Sequence, residues 1–293
     1  MMNNRRIPFF NIPDFLYQIY DINKLSSIKK LNLLIYAKVI QVFFNRTYGK
    51  SFCFFMNLLI PKYSNINFKH GRYFKSLTSE ISIFYPNKRI SRVIRKKHEI
   101  FDSIFKEYCL DSLAFSDNDV IIDCGANVGE LNYSLFFKGF KVNYYGIEPD
   151  VKVFECLTLN KISGKEKLFN FALSNKVENK KFYLDTKGAN SSLVYFGQNE
   201  HKIIKTTTLD ALDLPKKIKL FKLEAEGFEP EILLGSVKTL KNIEFITVDF
   251  GPEKGIEEEH TMIEVNEFLI LNKFKLIAFN NQRMTGLYKN KNG

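Results

Sequence analysis

Beyond Asp119 the chain settles into short apolar runs alternating with amphipathic segments, and that alternation constrains the fold more than anything else in the sequence. The runs at 120–124, 143–147, 168–173, 219–223, 245–250 and 275–279 have strand length and few solvent-facing positions. This predicts a largely parallel sheet covered on both faces, with helices at 129–137, 151–160, 230–240 and 257–271. Asn280-Asn281 is a turn signal, after which 284–289 is expected to return as an antiparallel edge strand. The expected class is therefore α/β: a doubly wound sheet, mostly parallel, with an antiparallel last strand.

The first part of the chain is built differently. Residues 1–60 read as helical, with Ile28, Leu31, Ile35, Val39 and Val42 recurring at helical spacing and Pro61 closing the segment. Such a stripe is expected to be a packing face, the other reading being a helix lying on a membrane surface. A small β-element is expected over 68–86 and a helix over 90–110, which divides the chain into an extension, 1–89, and a domain, 90–293. Residues 1–100 hold 18 Lys/Arg against 4 Asp/Glu, a charge of +14, whereas the remainder is at −3. Charge of that sign suits an anionic membrane surface, a nucleic acid or a phosphorylated carrier, or else the lysines simply solvate this part.

Cys53, Cys109, Cys124 and Cys156 are widely spaced and form no C-x-x-C pair, so no zinc knuckle or redox motif is indicated. Paired carboxylates would suit Mg²⁺, but the sequence holds no dedicated ligand cluster, so no metal site is expected. Reduced thiols point to the cytoplasm. The amino terminus carries charge without an apolar run, which argues against a signal peptide. The longest uncharged stretch, 51–61, is far below the ~20 residues of a membrane span, so any membrane contact is expected to be peripheral.

The most informative segment is Val120-Ile121-Ile122-Asp123-Cys124-Gly125-Ala126-Asn127-Val128-Gly129-Glu130, a buried strand entering a glycine turn and a helix. In doubly wound sheets, ligands bind at the carboxyl ends of strands where the strand order reverses. The dinucleotide pattern G-x-G-x-x-G fails here, since Asn127 and Glu130 stand where glycines are needed. Asp123 would repel a pyrophosphate and attract an ammonium group, which favours S-adenosylmethionine. Gly125 is expected to let the backbone approach the ligand, and Gly129 to let the helix pack on the strand. Glu148 follows Gly125 by 23 residues and ends the next strand, near the offset at which a carboxylate meets ribose hydroxyls. The plainer readings are an ordinary glycine turn and a solvated capping carboxylate.

With these residues the sequence resembles the FkbM-type S-adenosylmethionine-dependent methyltransferases over about residues 90–290. The resemblance is carried by Asp123 to Gly129, Glu148-Pro149 with Asn160, Phe171-Ala172-Leu173-Ser174, Ser191-Ser192, Thr208-Leu209-Asp210, and Lys222-Leu223-Glu224-Ala225-Glu226-Gly227-Phe228-Glu229. It implies a Rossmann-like methyltransferase fold, O-methylation of glycan or secondary-metabolite hydroxyls, and a cofactor set of Asp123, Gly125, Asn127, Gly129, Glu148 and Ala172. One departure stands out: where the family pattern has Asp, this chain has Glu224, one methylene longer.

Methyl transfer from a sulfonium is an in-line displacement, so the protein must align the nucleophile and accept its proton. Glu224 and Glu226, at the end of the fourth strand, are the first candidates for substrate binding or proton removal; the other reading is that these carboxylates cap the turn at Gly227. His260 is a further candidate base, or else a solvated histidine at a helix start. Asp249 ends the fifth strand and suits either a site role or a loop cap. The expected acceptor is a hydroxyl of a sugar, glycolipid or related small molecule. RNA methylation is the alternative prompted by the basic segment, although neither an Asn/Asp-Pro-Pro-Tyr motif nor a Pro-Cys nucleophile is present. A cofactor-binding scaffold without catalysis is the third reading.

Overall fold

The computed structural model describes residues 25–95, 97–185 and 191–292, so the helical expectation for residues 1–24 lies outside the described residues. The chain divides into two compact units, 1–100 and 101–293, about ten residues beyond the boundary expected from sequence.

In the first unit, α1 (Ser27–Arg46) and α2 (Gly49–Leu59) precede three antiparallel strands, β1 (Ile66–Lys69), β2 (Arg72–Ser76) and β3 (Ser82–Tyr85). Ala37, Ile40, Phe52, Met56, Ile66 and Tyr73 are fully buried, and Phe43 stacks on Phe55 at 4.2 Å. The Asn57 side chain joins α2 to β1 by donating to the Ile66 carbonyl and accepting from its N–H. The stripe of α1 is not the packing face that its spacing suggests. Ile28, Leu31, Ile35, Val39 and Val42 are 40–75% exposed. The physical reason is that α1 is apolar on more than one side: Ala37 and Ile40, flanked by half-buried Leu33, Phe43 and Phe44, supply the packing surface instead.

The boundary falls within α3 (Lys97–Glu107), and the second unit continues with β4 (Val120–Cys124), α4 (Glu130–Phe137), β5 (Asn143–Ile147), α5 (Val151–Leu159) and β6 (Glu166–Phe169). A small sheet of β7 (Ala172–Leu173), β8 (Glu178–Tyr183) and β9 (His201–Thr207) follows, ordered β7-β9-β8. The chain then returns through β10 (Ile218–Leu223), α6 (Glu229–Leu234), α7 (Val237–Leu240) and β11 (Ile243–Asp249). It ends with β12 (Pro252–Lys254), β13 (Glu259–His260), α8 (Met262–Leu271), β14 (Phe274–Asn280) and β15 (Thr285–Asn290).

The main sheet has seven strands in the order β14-β15-β11-β10-β4-β5-β6. Strands β6, β5, β4, β10 and β11 run parallel, while β15 is antiparallel to both of its neighbours. This is the doubly wound, Rossmann-like arrangement. β4 touches both β5 and β10, so the order reverses there, and the carboxyl ends of these three strands define the crevice where such sheets bind ligands. Ile121, Ile122, Leu220, Phe221, Ile246 and Val248 are fully buried, as strands covered on both faces require.

The elements depart from the sequence expectation at four places. The run 168–173 is cut in two because the Asn170 amide reaches back to the carbonyls of Glu148 and Pro149. The helix expected over 230–240 is interrupted at Gly235. That over 257–271 begins only at Met262, since Glu259–His260 pairs with β12. The last strand is antiparallel but not an edge: β15 inserts between β11 and β14.

Candidate active site

The segment 125–129 leaves β4 with its backbone held from two sides. The amides of Gly125 and Ala126 both donate to the Ile147 carbonyl, at 3.1 and 3.0 Å, and Lys222 Nζ donates to the Gly125 carbonyl at 2.7 Å. Gly125 has φ +72°, and a Cβ there would stand 2.1 Å from the Glu224 carbonyl oxygen. The glycine is therefore required by the closeness of the β10 end as well as by its conformation. Gly129, at φ +88°, would drive a Cβ to 2.9 Å from Leu157 Cδ1, so it serves the contact of α4 with α5 rather than packing on the strand. Asn160 Nδ2 donates to the Val128 carbonyl and ties the end of α5 to the same loop.

Glu148 closes this region. Its Oε2 accepts from the Asn127 amide and its Oε1 from the Asp150 amide, each at 2.9 Å, while Asn127 itself adopts φ +50°. Burial is the dominant influence and pushes the Glu148 carboxyl up to about 7, against the lowering effect of those amides. A carboxylate has about four acceptor positions and two are taken, which leaves capacity for a pair of hydroxyls. Those free acceptor positions fit the ribose diol of an adenosine-containing cofactor.

The methionine end differs from expectation. Asp123 is 1% exposed, lies 3.0 Å from Lys222 Nζ and accepts from the Tyr144 hydroxyl, so its charge is taken up inside the sheet. Ala172 is buried in β7, paired with Thr206 of β9 rather than in the main sheet.

At the ends of β10 and β11 lies a chain of charges. Lys222 bridges Asp123 and Glu224, the latter at 2.9 Å; Glu224 also meets Arg283 Nη2 and the Tyr108 hydroxyl, each at 2.5 Å. Arg283 Nη2 in turn lies 3.0 Å from Asp249 Oδ2, close enough for an ion pair but not aligned as a hydrogen bond. Although burial alone would raise it, the Lys222 and Arg283 cations hold Glu224 well below the usual carboxylate range. Asp249 goes the other way, up to about 8, through burial and the neighbouring Glu224 charge. Glu224 is thus a fixed anion. The longer side chain at this position spans to both cations.

Glu226 sits two residues on, at φ +52°, a backbone conformation uncommon for a residue with a Cβ. The turn is fixed around it: Ser192 Oγ donates to the Glu226 carbonyl, and Glu229 Oε1 accepts from the amides of Ala225 and Gly227. Glu229 therefore does the capping, while Glu226 is half-buried, with its Oε2 inside. His260 is exposed, with Nδ1 3.3 Å from the Phe250 carbonyl, at the end of β13 and directly before the Thr261 N-cap of α8.

The structure thus gathers Gly125, Asn127 and Glu148 around one loop, and Asp123 and Glu224 around Lys222. Sequence reasoning did not single out Tyr108, Tyr144, Lys222 or Arg283 as site residues. Lys222 had a signal, a cation inside the apolar run Leu220-Phe221-Lys222-Leu223; Tyr108 and Arg283 had none, being brought in from remote parts of the chain. Among the described residues no group of three or more His, Cys, Asp or Glu is placed to hold a metal.

The model of the methyltransferase FkbM domain matches residues 123–276. No curated protein matches the chain. Among solved structures, the chain is similar at 15% identity to an S-adenosylmethionine-dependent methyltransferase from Aquifex aeolicus, covering 64% of this chain and 88% of that one with a TM-score of 0.39. It is similar at 14% to magnesium protoporphyrin IX methyltransferase from Synechocystis PCC 6803, covering 70% and 85%, TM-score 0.39. A third, at 11%, is a protein of the NADB-Rossmann superfamily from Streptococcus agalactiae, with 63% and 68% covered and a TM-score of 0.39. The fold itself is read from the strand order of this chain.

Proposed function

Since the chain belongs to the FkbM methyltransferase family, we propose that it is an S-adenosylmethionine-dependent O-methyltransferase acting on a sugar, glycolipid or related small hydroxyl acceptor. The observation that carries the cofactor reading is Glu148: a buried carboxylate at the end of β5, next to the Gly125 loop, with acceptor capacity left over. The chemistry supplied there is an electrophilic methyl group on a sulfonium centre.

In this reading Glu148 accepts from the ribose hydroxyls, and Gly125 and Asn127 shape the loop that receives the nucleoside. Lys222 and Arg283 keep Glu224 ionised, so Glu224 positions rather than takes a proton. Glu226 accepts the proton of the acceptor hydroxyl, because it lies past the end of β10, at the same carboxyl edge of the sheet as Glu148. His260, further out on β13, is the next candidate. Asp249 is sealed beside Arg283 and takes no part in the proton transfer. A cytoplasmic site of action accords with four free cysteines.

The test is incubation of the purified chain with methyl-labelled S-adenosylmethionine and fractionated cell extract. Label is expected in a glycan or glycolipid fraction, with Glu226→Gln slowing incorporation by about 10²–10⁴ while cofactor affinity is kept. Label in RNA alone would overturn the acceptor class, and wild-type rates in Glu226→Gln would move the base elsewhere.

A further inference from the structure

The exposed stripe of α1 stands apart from the methyltransferase site and calls for its own account. Ile28, Leu31, Ile35, Val39 and Val42 lie along one side of the helix, and Arg46 continues the same line at i+18, five turns from Ile28. The opposite side is already used against its own unit through Ala37 and Ile40. Lys38 borders the stripe, three residues after Ile35 and four before Val42. In α2, Lys50, Phe54 and Leu58 follow at i, i+4 and i+8 and are likewise exposed, and Phe54 contacts Phe55, the ring that stacks on Phe43 of α1.

Charge identifies what such a surface meets. Residues 25–79 carry nine Lys/Arg and no Asp or Glu. A second copy of the chain would bring two such segments together with no acid to offset them, which disfavours self-association through this face. A nucleic acid would supply the negative charge but has no use for a row of branched aliphatic side chains. An anionic bilayer surface supplies both partners, with acyl chains for the stripe and headgroup charge for Lys38, Arg46 and Lys50. Among the described residues no helix is long and apolar enough to cross a membrane, so α1 would lie in the interface plane. We propose that α1 is an interfacial helix that docks the chain on anionic membranes.

The test is sedimentation of the full-length chain with vesicles of phosphatidylserine and phosphatidylcholine, or of phosphatidylcholine alone. The wild type is expected to sediment with the anionic vesicles and to be released as salt rises. Ile35→Glu/Val39→Glu, at exposed positions, should weaken binding at least about tenfold, as should Lys38→Glu/Arg46→Glu, with circular dichroism melting curves unchanged. Equal binding to neutral vesicles, binding to neither, or full binding by either double variant would overturn the proposal. So would stripe-dependent dimers in the absence of lipid, or RNA binding abolished by Ile35→Glu/Val39→Glu. Because no step depends on methyl transfer, the result is independent of the activity test.

Discussion

Glu148 and Glu224 end the two strands that flank β4, both in the interior, yet their proton affinities are driven in opposite directions. Glu148 accepts from two neutral backbone amides, and burial outweighs them, so its carboxyl rises to about 7. Glu224 is gripped by Lys222, Arg283 and Tyr108, and the two cations outweigh burial. Amide dipoles at hydrogen-bonding distance do not replace water for a buried carboxylate, whereas full charges do. The functional consequence is a division of labour: one carboxylate is left short of donors and ready for a ligand, and the other is locked as part of the frame.

Breaking the locked side should give the larger effect. Lys222→Met leaves Asp123 and Glu224 buried without their shared cation, and the expected loss of stability is about 3–5 kcal/mol, read from urea unfolding. A loss below about 1 kcal/mol would mean that the two carboxylates are compensated elsewhere.

The carboxyls that burial raises predict a pH dependence of opposite sense to the usual one for carboxylates. Glu148 and Glu229, raised from 4.5 to about 7, and Asp249, raised from 3.8 to about 8, bind protons more tightly folded than unfolded. Stability from these groups is therefore full below about pH 4 and falls as pH rises through 7–8. Glu148 alone accounts for about 3 kcal/mol of that fall by pH 8. Glu148→Gln should flatten the profile, recovering about 1–2 kcal/mol at pH 8 because its amide faces one donor. Urea titrations at pH 5 and pH 8 check this, and equal slopes for wild type and variant would remove Glu148 from the account.

How far this comparison could be read from the sequence depended on chain distance. Asp123 to Gly129 and Glu148 are local patterns, a strand end followed by a glycine turn and a strand end at the right offset, and both fell at the switch point of the sheet. The partners that decide the charge states are not local: Tyr108 lies 116 residues from Glu224, and Arg283 lies 59. Asp123 shows the same limit, since its isolated charge suggested an ammonium ligand and only the folded chain reveals Lys222 and Tyr144 against it. The α1 stripe failed for a different reason: a helix with two apolar sides has no single face that periodicity can assign, and tertiary contact chose the other one.

The central claim is that Glu148 holds the ribose of S-adenosylmethionine, and calorimetric titration of the cofactor into wild type and Glu148→Ala tests it most directly. Wild type should bind, and the variant should lose charge-assisted hydrogen bonds of about 1.5–3 kcal/mol, a weakening of about 10- to 150-fold with the fold intact by circular dichroism. Unchanged affinity in Glu148→Ala, or no binding by the wild type, would contradict the account.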